Sequence, residues 1–444
     1  MSKSGNEMSA LKRIILVALL AGAGVAPLRA AYFPTPLTAP DDSNSFFRMS
    51  KDNSWAVGLQ YEEGSGSGGF NGTDQKSTLG NVYGTGESFL AMLRSPRGTV
   101  RSQLTTLPNY VQLSTAPDLG GMRGMVDIAG HVYQKQITLT GGTNLNFVKW
   151  IPGFLDLALY VPFVTKRFDG VNLQRRQFSP VDMIDMILDQ HTQNIGAFLQ
   201  QNGGLNAEPW QGAGLGDPTF IMRWNLSGMD PNSSLDTNET IRDIHSYVYL
   251  GAQIPASKQR DEDKLFSLAL GNNGHWGLPL GGGLEFMFNL PVSLKIGLGV
   301  DLLWLVAESR MMRVKTDLTQ TSLLLLNKAK VQVKPGLTWR FNWFVDGDHL
   351  WHGLGAHAGY EFIMHHNDEL KTSDAGFSSE IIGTTETAQS WYANLVSVAL
   401  KYDLSDQFAG APMAPIIQGF MKFPVSGKHL VNASSVGFQM IMHF

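Results

Sequence analysis

Charged side chains recur on the polar faces of alternating segments of this chain. They are Asp156, Arg223, Glu285, Lys295, Asp301, Lys334, Arg340, His357 and Glu361, with His365 and Lys401 of the same kind. Both signs occur. Inside an enclosed polar passage, such groups set ion preference, or pair across it and hold it narrow. The spacing suggests a basic stripe of Arg223, Lys334 and Arg340 facing Glu285, Asp301 and Glu361.

Other chemistries find little support. The run His365-His366-Asn367-Asp368-Glu369 is rich in metal-ligand types. Successive residues of a strand point to opposite faces, so the two histidines would not share an ion, and no metal site or cofactor is expected. There is no cysteine among 444 residues, which excludes disulfides, thiolate ligands and Cys nucleophiles. Gly66-Ser67-Gly68-Gly69 and Gly281-Gly282-Gly283 do not lead into a Lys-Ser/Thr helix start, so neither reads as a phosphate loop. No GxSxG elbow occurs, and a hydrolase would have to gather Ser, His and a carboxylate from distant segments. The net charge of −4 argues against a nucleic-acid partner.

The elements that carry these charges alternate with a period of two. Across 292–306, Val292, Leu294, Ile296, Leu298, Val300, Leu302, Trp304 and Val306 share one face, opposite Ser293, Lys295, Gly297, Gly299 and Asp301. Val331, Val333, Leu337, Trp339, Phe341 and Trp343 form a similar face, with Pro335 marking a bulge. Soluble strands usually run about 5–6 residues; longer runs fit tilted strands crossing a bilayer. Twelve strands are predicted, near 54–63, 122–141, 153–166, 215–227, 244–254, 280–290, 292–306, 328–343, 352–366, 389–402, 411–423 and 434–444. Residues 87–93 offer a further strand, with fourteen as the alternative count. Long and short gaps alternate, as in a barrel with long external loops and short periplasmic turns. The expectation is an all-β, antiparallel, up-and-down transmembrane β-barrel in outer-membrane lipid. A helix is expected within the second long loop, near 180–201, with Ser179-Pro180 at its start.

Both ends fit export. Lys12 and Arg13 precede the apolar run Ile14 to Ala26, which suits a cleaved signal peptide over residues 1–30. Residues 31–53 would then form a periplasmic N-terminal segment and 54–444 the barrel. The last run places Val436, Phe438, Met440, Met442 and Phe444 on one face. A final strand ending in Phe resembles the signal read by the barrel-assembly machinery, so Phe444 is the candidate residue for that role.

Three blocks carry a further resemblance. They are Phe154-Leu155-Asp156-Leu157-Ala158-Leu159-Tyr160-Val161-Pro162, Gly214-Leu215-Gly216-Asp217-Pro218-Thr219 and Leu250-Gly251-Ala252-Gln253-Ile254-Pro255. Together they resemble the outer-membrane transporters linked to the phenol (aromatic) degradation meta-pathway. The match covers about 100 residues, and Ala256-Ser257 stands where that family tends to have Thr-Gly. The resemblance implies a barrel passing small, often apolar, solutes without covalent chemistry, with Asp217 at a strand start. A surface adhesin or structural barrel and a barrel hydrolase are the alternatives.

Overall fold

The computed structural model describes residues 55–82, 87–117, 119, 123–145, 153–227, 241–288, 290, 292–321, 323–404 and 414–444. The segments expected as a signal peptide (1–30) and an N-terminal periplasmic stretch (31–53) lie outside them.

Twelve antiparallel strands form a closed barrel. They are β1 (Trp55–Gly66), β2 (Met125–Leu145), β3 (Phe154–Arg175), β4 (Thr219–Ser227), β5 (Ile241–Gln253), β6 (Gly277–Phe288), β7 (Ser293–Leu305), β8 (Thr338–Trp351), β9 (Leu354–His365), β10 (Trp391–Asp403), β11 (Ala414–Lys428) and β12 (Ser434–His443). Each pairs with its neighbours in sequence. β12 closes on β1 from Ala56↔His443 to Ser65↔Ser434. Trp55 and Phe444 exchange backbone hydrogen bonds of 2.9 and 3.3 Å beyond the last pair. Closure satisfies every edge, which an open sheet in lipid could not do. Two short strands, Glu87–Ser88 and Trp210–Leu215, bond to β2 and β3 outside the twelve.

The period of two sorts the wall into faces. Leu139, Leu159, Phe163, Val248, Leu250, Leu284, Leu298, Val300 and Leu400 are exposed on the outside. Their neighbours along each strand point inward, and most are buried. Such an apolar outer band is stable only against hydrocarbon or another apolar surface.

Several expected boundaries move. Pro335 separates the strand Lys328–Lys334 from β8 and does not bulge a single strand. Lys328–Lys334 instead pairs with Glu308–Arg313 and Glu369–Thr372 in a small sheet of its own. Val331 and Val333 therefore pack under that sheet with Leu370 and Ile382, not on the outer wall. β8 runs on to Trp351, eight residues past the expected end at 343, so Trp343 lies at mid-strand. The following turn is only His352-Gly353. Both residues have positive φ (42° and 83°), the geometry a tight hairpin needs.

The expected loop helix is two helices, Met183–Thr192 and Ile195–Gly203. Asp182, not Ser179, caps the first by accepting from the Asp185 N–H. Asn194 caps the second through the Ala197 N–H. Residues 87–93 divide between the short strand and a helix, Phe89–Met92. Two more short helices, Gly98–Leu104 and Tyr110–Thr115, follow in the same long connection. These segments and the connections 254–276 and 306–337 share an apolar core at the long-loop end. Leu93, Leu104, Leu113, Leu188, Leu199 and Leu326 are all buried there. Phe89 packs on Phe198 at 4.8 Å between ring centres, and Phe168 stacks on Phe266 at 4.4 Å. At roughly 1.5–3 kcal/mol per fully buried side chain of this size, the cluster makes the long connections a packed cap.

Candidate solute path

Backbone register turns scattered charges into rows around the inner wall. Asp156 pairs with Arg223, Arg223 with Tyr249, Tyr249 with Gly281, Gly281 with Asp301 and Asp301 with Arg340. One row thus crosses β3 to β8. The next runs Asn225, Tyr247, Gly283, Gly299, Asn342, Glu361. A third runs His245, Glu285, Gly297, Phe344, Gly359, Ser397, Lys422. A fourth holds Lys295, Asp346 and His357.

Along these rows the charges are shared between rows as well as within them. The Asn225 amide donates to Asp156 at 2.7 Å. The Arg223 guanidinium lies 5.6 Å from the Tyr247 ring centre. Asp301 accepts from the Tyr249 hydroxyl at 2.6 Å and from Arg340 Nε at 2.6 Å. Arg340 reaches Glu361 at 3.8 Å, as does Lys422. His245 lies 3.9 Å from Glu285. Asp346 bonds His357 Nδ1 at 2.6 Å and meets Lys295 at 4.0 Å, and Lys401 pairs with Asp348. Arg223, Asp301, Glu285 and Arg340 are all at most 3% exposed. Charges this dehydrated persist because each has an opposite charge or hydrogen-bond donor beside it.

Glycines in the rows make space for this chemistry. A Cβ on Gly281 would stand 2.7 Å from Asp301 Oδ1 and 2.8 Å from the Tyr249 ring. One on Gly299 would stand 2.6 Å from Asn342 Oδ1. The inward glycines let tyrosine and amide side chains lie flat across the strand beside them.

Of the residues singled out from sequence, Asp156, Arg223, Glu285, Lys295, Asp301, Arg340, His357 and Glu361 fall in these rows. Lys334 does not. It sits beyond the Pro335 break, is 65% exposed and pairs with Glu369 at 3.2 Å. The expected basic stripe therefore does not form: Arg340 touches Asp301 and Glu361, but Arg223 stands beside Asp156 and Glu285 beside His245. Tyr247, Tyr249, Asn225, Asn342, Asp346 and Lys422 were not singled out. For Asn225 and Asn342, a position two residues from Arg223 and Arg340 was the available signal; Tyr247, Tyr249, Asp346 and Lys422 had no such neighbour. His365 accepts or donates at Thr338 (2.7 Å) and Asp368 (2.9 Å), and among the described residues no three His, Cys, Asp or Glu side chains gather as metal ligands.

Asp217, from the most distinctive block, is fully buried. Its carboxylate accepts the backbone N–H groups of Ser257 (2.9 Å) and Asn272. It therefore pins both ends of the connection 254–276.

Above the rows, at the long-loop end, lies a cavity of about 230 Å³. Its walls include Leu303 and Leu305 of β7, Leu268, Leu325, Leu370 and Trp391. Polar groups reach it from three connections, among them Arg260, His275 and Arg310. Burial holds His275 below its ordinary pKa. Its Nδ1 lies 2.8 Å from the Val306 carbonyl, which only an Nδ1–H can satisfy.

No family model and no curated protein matches the chain. Solved structures similar to it include an outer membrane channel from Pseudomonas putida F1, at 9% identity and a TM-score of 0.48, covering 89% of this chain and 97% of that one. A FadL homologue from Pseudomonas aeruginosa is 8% identical with a TM-score of 0.28, over 88% and 90% of the two chains. The toluene transporter TodX of Pseudomonas putida is 8% identical with a TM-score of 0.29, over 89% and 90%.

Proposed function

We propose that this chain is an outer-membrane channel through which small solutes, apolar ones included, pass without covalent chemistry. The observation that carries the proposal is the sorting of one closed wall into an apolar outer band and ion-paired inner rows, with a cavity where the rows meet the long connections. The outer band suits lipid. The inner rows suit water and small solutes, and Asp156, Arg223, Glu285, Lys295, Asp301, Arg340, His357 and Glu361 would line the path. The low exposure of these groups supports a narrow passage. Phe444, paired with Trp55 at the short-turn end, suits a residue read by the assembly machinery before the barrel closes.

Purified protein in planar bilayers tests this directly. Small, reproducible conductance steps are expected, together with liposome swelling in small solutes. Silence across salts and voltages, with the folded barrel verified in the bilayer, would sink the proposal.

A further inference from the structure

Inward of the cap, four cations line the cavity, Lys166, Arg260, Arg310 and Arg313, against two carboxylates, Glu262 and Asp368. Several of these groups are already engaged. Arg313 donates to the backbone carbonyls of Leu325, Leu326 and Gly203 at 3.0 Å each and pairs with Asp263 at 3.1 Å. Lys166 donates to the Ala269 carbonyl at 2.5 Å. Asp368 accepts from the Gly336 N–H at 2.8 Å and lies 2.9 Å from His365.

Arg260 and Arg310 differ. Among the described residues neither has a carboxylate within 4.0 Å, and the buried Nε of each has no protein acceptor. Arg310 spends one donor on the Asn273 carbonyl at 3.0 Å. Glu262, Glu308 and Asp368 act on it only at longer range, and Arg260 opposes it. A partly dehydrated guanidinium with a free donor is costly unless an anion joins it. The remaining wall is apolar: Leu268, Leu303, Leu305 and Leu325.

We propose that the cavity binds a small amphipathic monoanion, with its carboxylate on Arg260 and Arg310 and its apolar body against the leucine wall. The geometry of guanidinium favours a planar carboxylate, which takes two parallel N–H bonds. The volume of about 230 Å³ is roughly eight times the ~30 Å³ a water occupies. That accommodates one ring or a short chain. The inference deepens the channel reading and rests on it, since it names the solute class captured at the mouth.

The test is calorimetric titration of the full-length folded protein with benzoate, benzyl alcohol and inorganic phosphate. Benzoate is expected to bind saturably and at least tenfold more tightly than benzyl alcohol or phosphate. Arg310→Gln and Arg260→Gln should each weaken benzoate about tenfold while leaving benzyl alcohol within about twofold. Equal binding of benzoate and benzyl alcohol, or phosphate as tight as benzoate, overturns the amphipathic assignment. So does full benzoate affinity in both variants. If one variant fails to fold, the other carries the test, and Leu305→Trp, which fills the apolar wall, should abolish binding. Conductance on the same preparations separates the two proposals. A conducting protein that ignores benzoate overturns this site and leaves the channel standing. A protein that binds benzoate as described but never conducts supports the site and overturns the channel.

Discussion

Replacing Arg340 by Gln is the sharpest test of the inner rows. Arg340 sits between Asp301 (2.6 Å) and Glu361 (3.8 Å), and Lys422 is the other cation at Glu361 (3.8 Å). The substitution takes this group from balanced to one net negative charge. For an ion passing about 6 Å away, one unit charge is worth about 0.7 kcal/mol at a water-like dielectric and about 1.4 kcal/mol at half that value. A cation gains this and an anion loses it, so their ratio moves by about 1.4–2.8 kcal/mol, or roughly tenfold to a hundredfold. The reversal potential across a KCl gradient in a planar bilayer reads this shift, which should be towards cations. Two controls guard the result. Lys334→Gln, outside the rows, should leave the reversal potential unchanged. Asp301→Asn with Arg340→Gln should restore it close to the parent value. The double variant should also recover part of the roughly 3–5 kcal/mol that stranding a buried carboxylate costs. An unchanged reversal potential in folded, conducting Arg340→Gln would refute the view that ions pass this row.

Three further outcomes follow from the cap and the seam. Glu87 is buried against Thr321 and the Leu324 N–H, and burial pushes its pKa from 4.5 up to about 7. The folded form thus holds the proton more tightly than the exposed one. The contact between 87–97 and 313–327 should be firmest at low pH and lose up to roughly 3 kcal/mol as pH rises from 4.5 to about 7. Limited proteolysis of the first long connection should accelerate over that window in the parent and stay flat in Glu87→Gln; identical pH profiles would count against it. Asp217→Ala strands two buried N–H groups at about 1–3 kcal/mol each. Amide exchange at Ser257 and Asn272 should therefore speed by roughly 30-fold or more, and unchanged protection would dismiss the clasp. Phe444→Ala should lower the yield of assembled barrel in cells while leaving in vitro refolding into detergent largely intact; equal assembly in cells would remove Phe444 as a signal.

The sequence was most legible where one face of a strand meets a uniform medium. Leu298 and Val300 alternate with Gly297 and Gly299 because side chains of a strand point to opposite faces, and that local rule needs no partner. It sufficed for twelve strands and for the inward set from Asp156 to Glu361. It failed at Lys334 because alternation continues through 331–343 although the chain does not. Val331 and Val333 satisfy the same pattern by packing under the small cap sheet, and Pro335 is where the wall begins again. The helices of the first long connection, Phe89–Met92, Gly98–Leu104 and Tyr110–Thr115, escaped notice. They are short, and most of their stability comes from contacts with segments far along the chain, such as Phe89 with Phe198.

Composition and period alone determined that this chain makes long two-faced strands, with charges of both signs on the polar faces. Only the tertiary structure decided which charges meet. Asp301 lies beside Arg340 because β7 and β8 pair in one register, and a shift of one residue would put the two side chains on opposite faces of the wall. Arg260 and Arg310 share a cavity for a similar reason. Separate connections are folded over one mouth by apolar packing, which acts through distance in space and leaves no periodic trace in sequence.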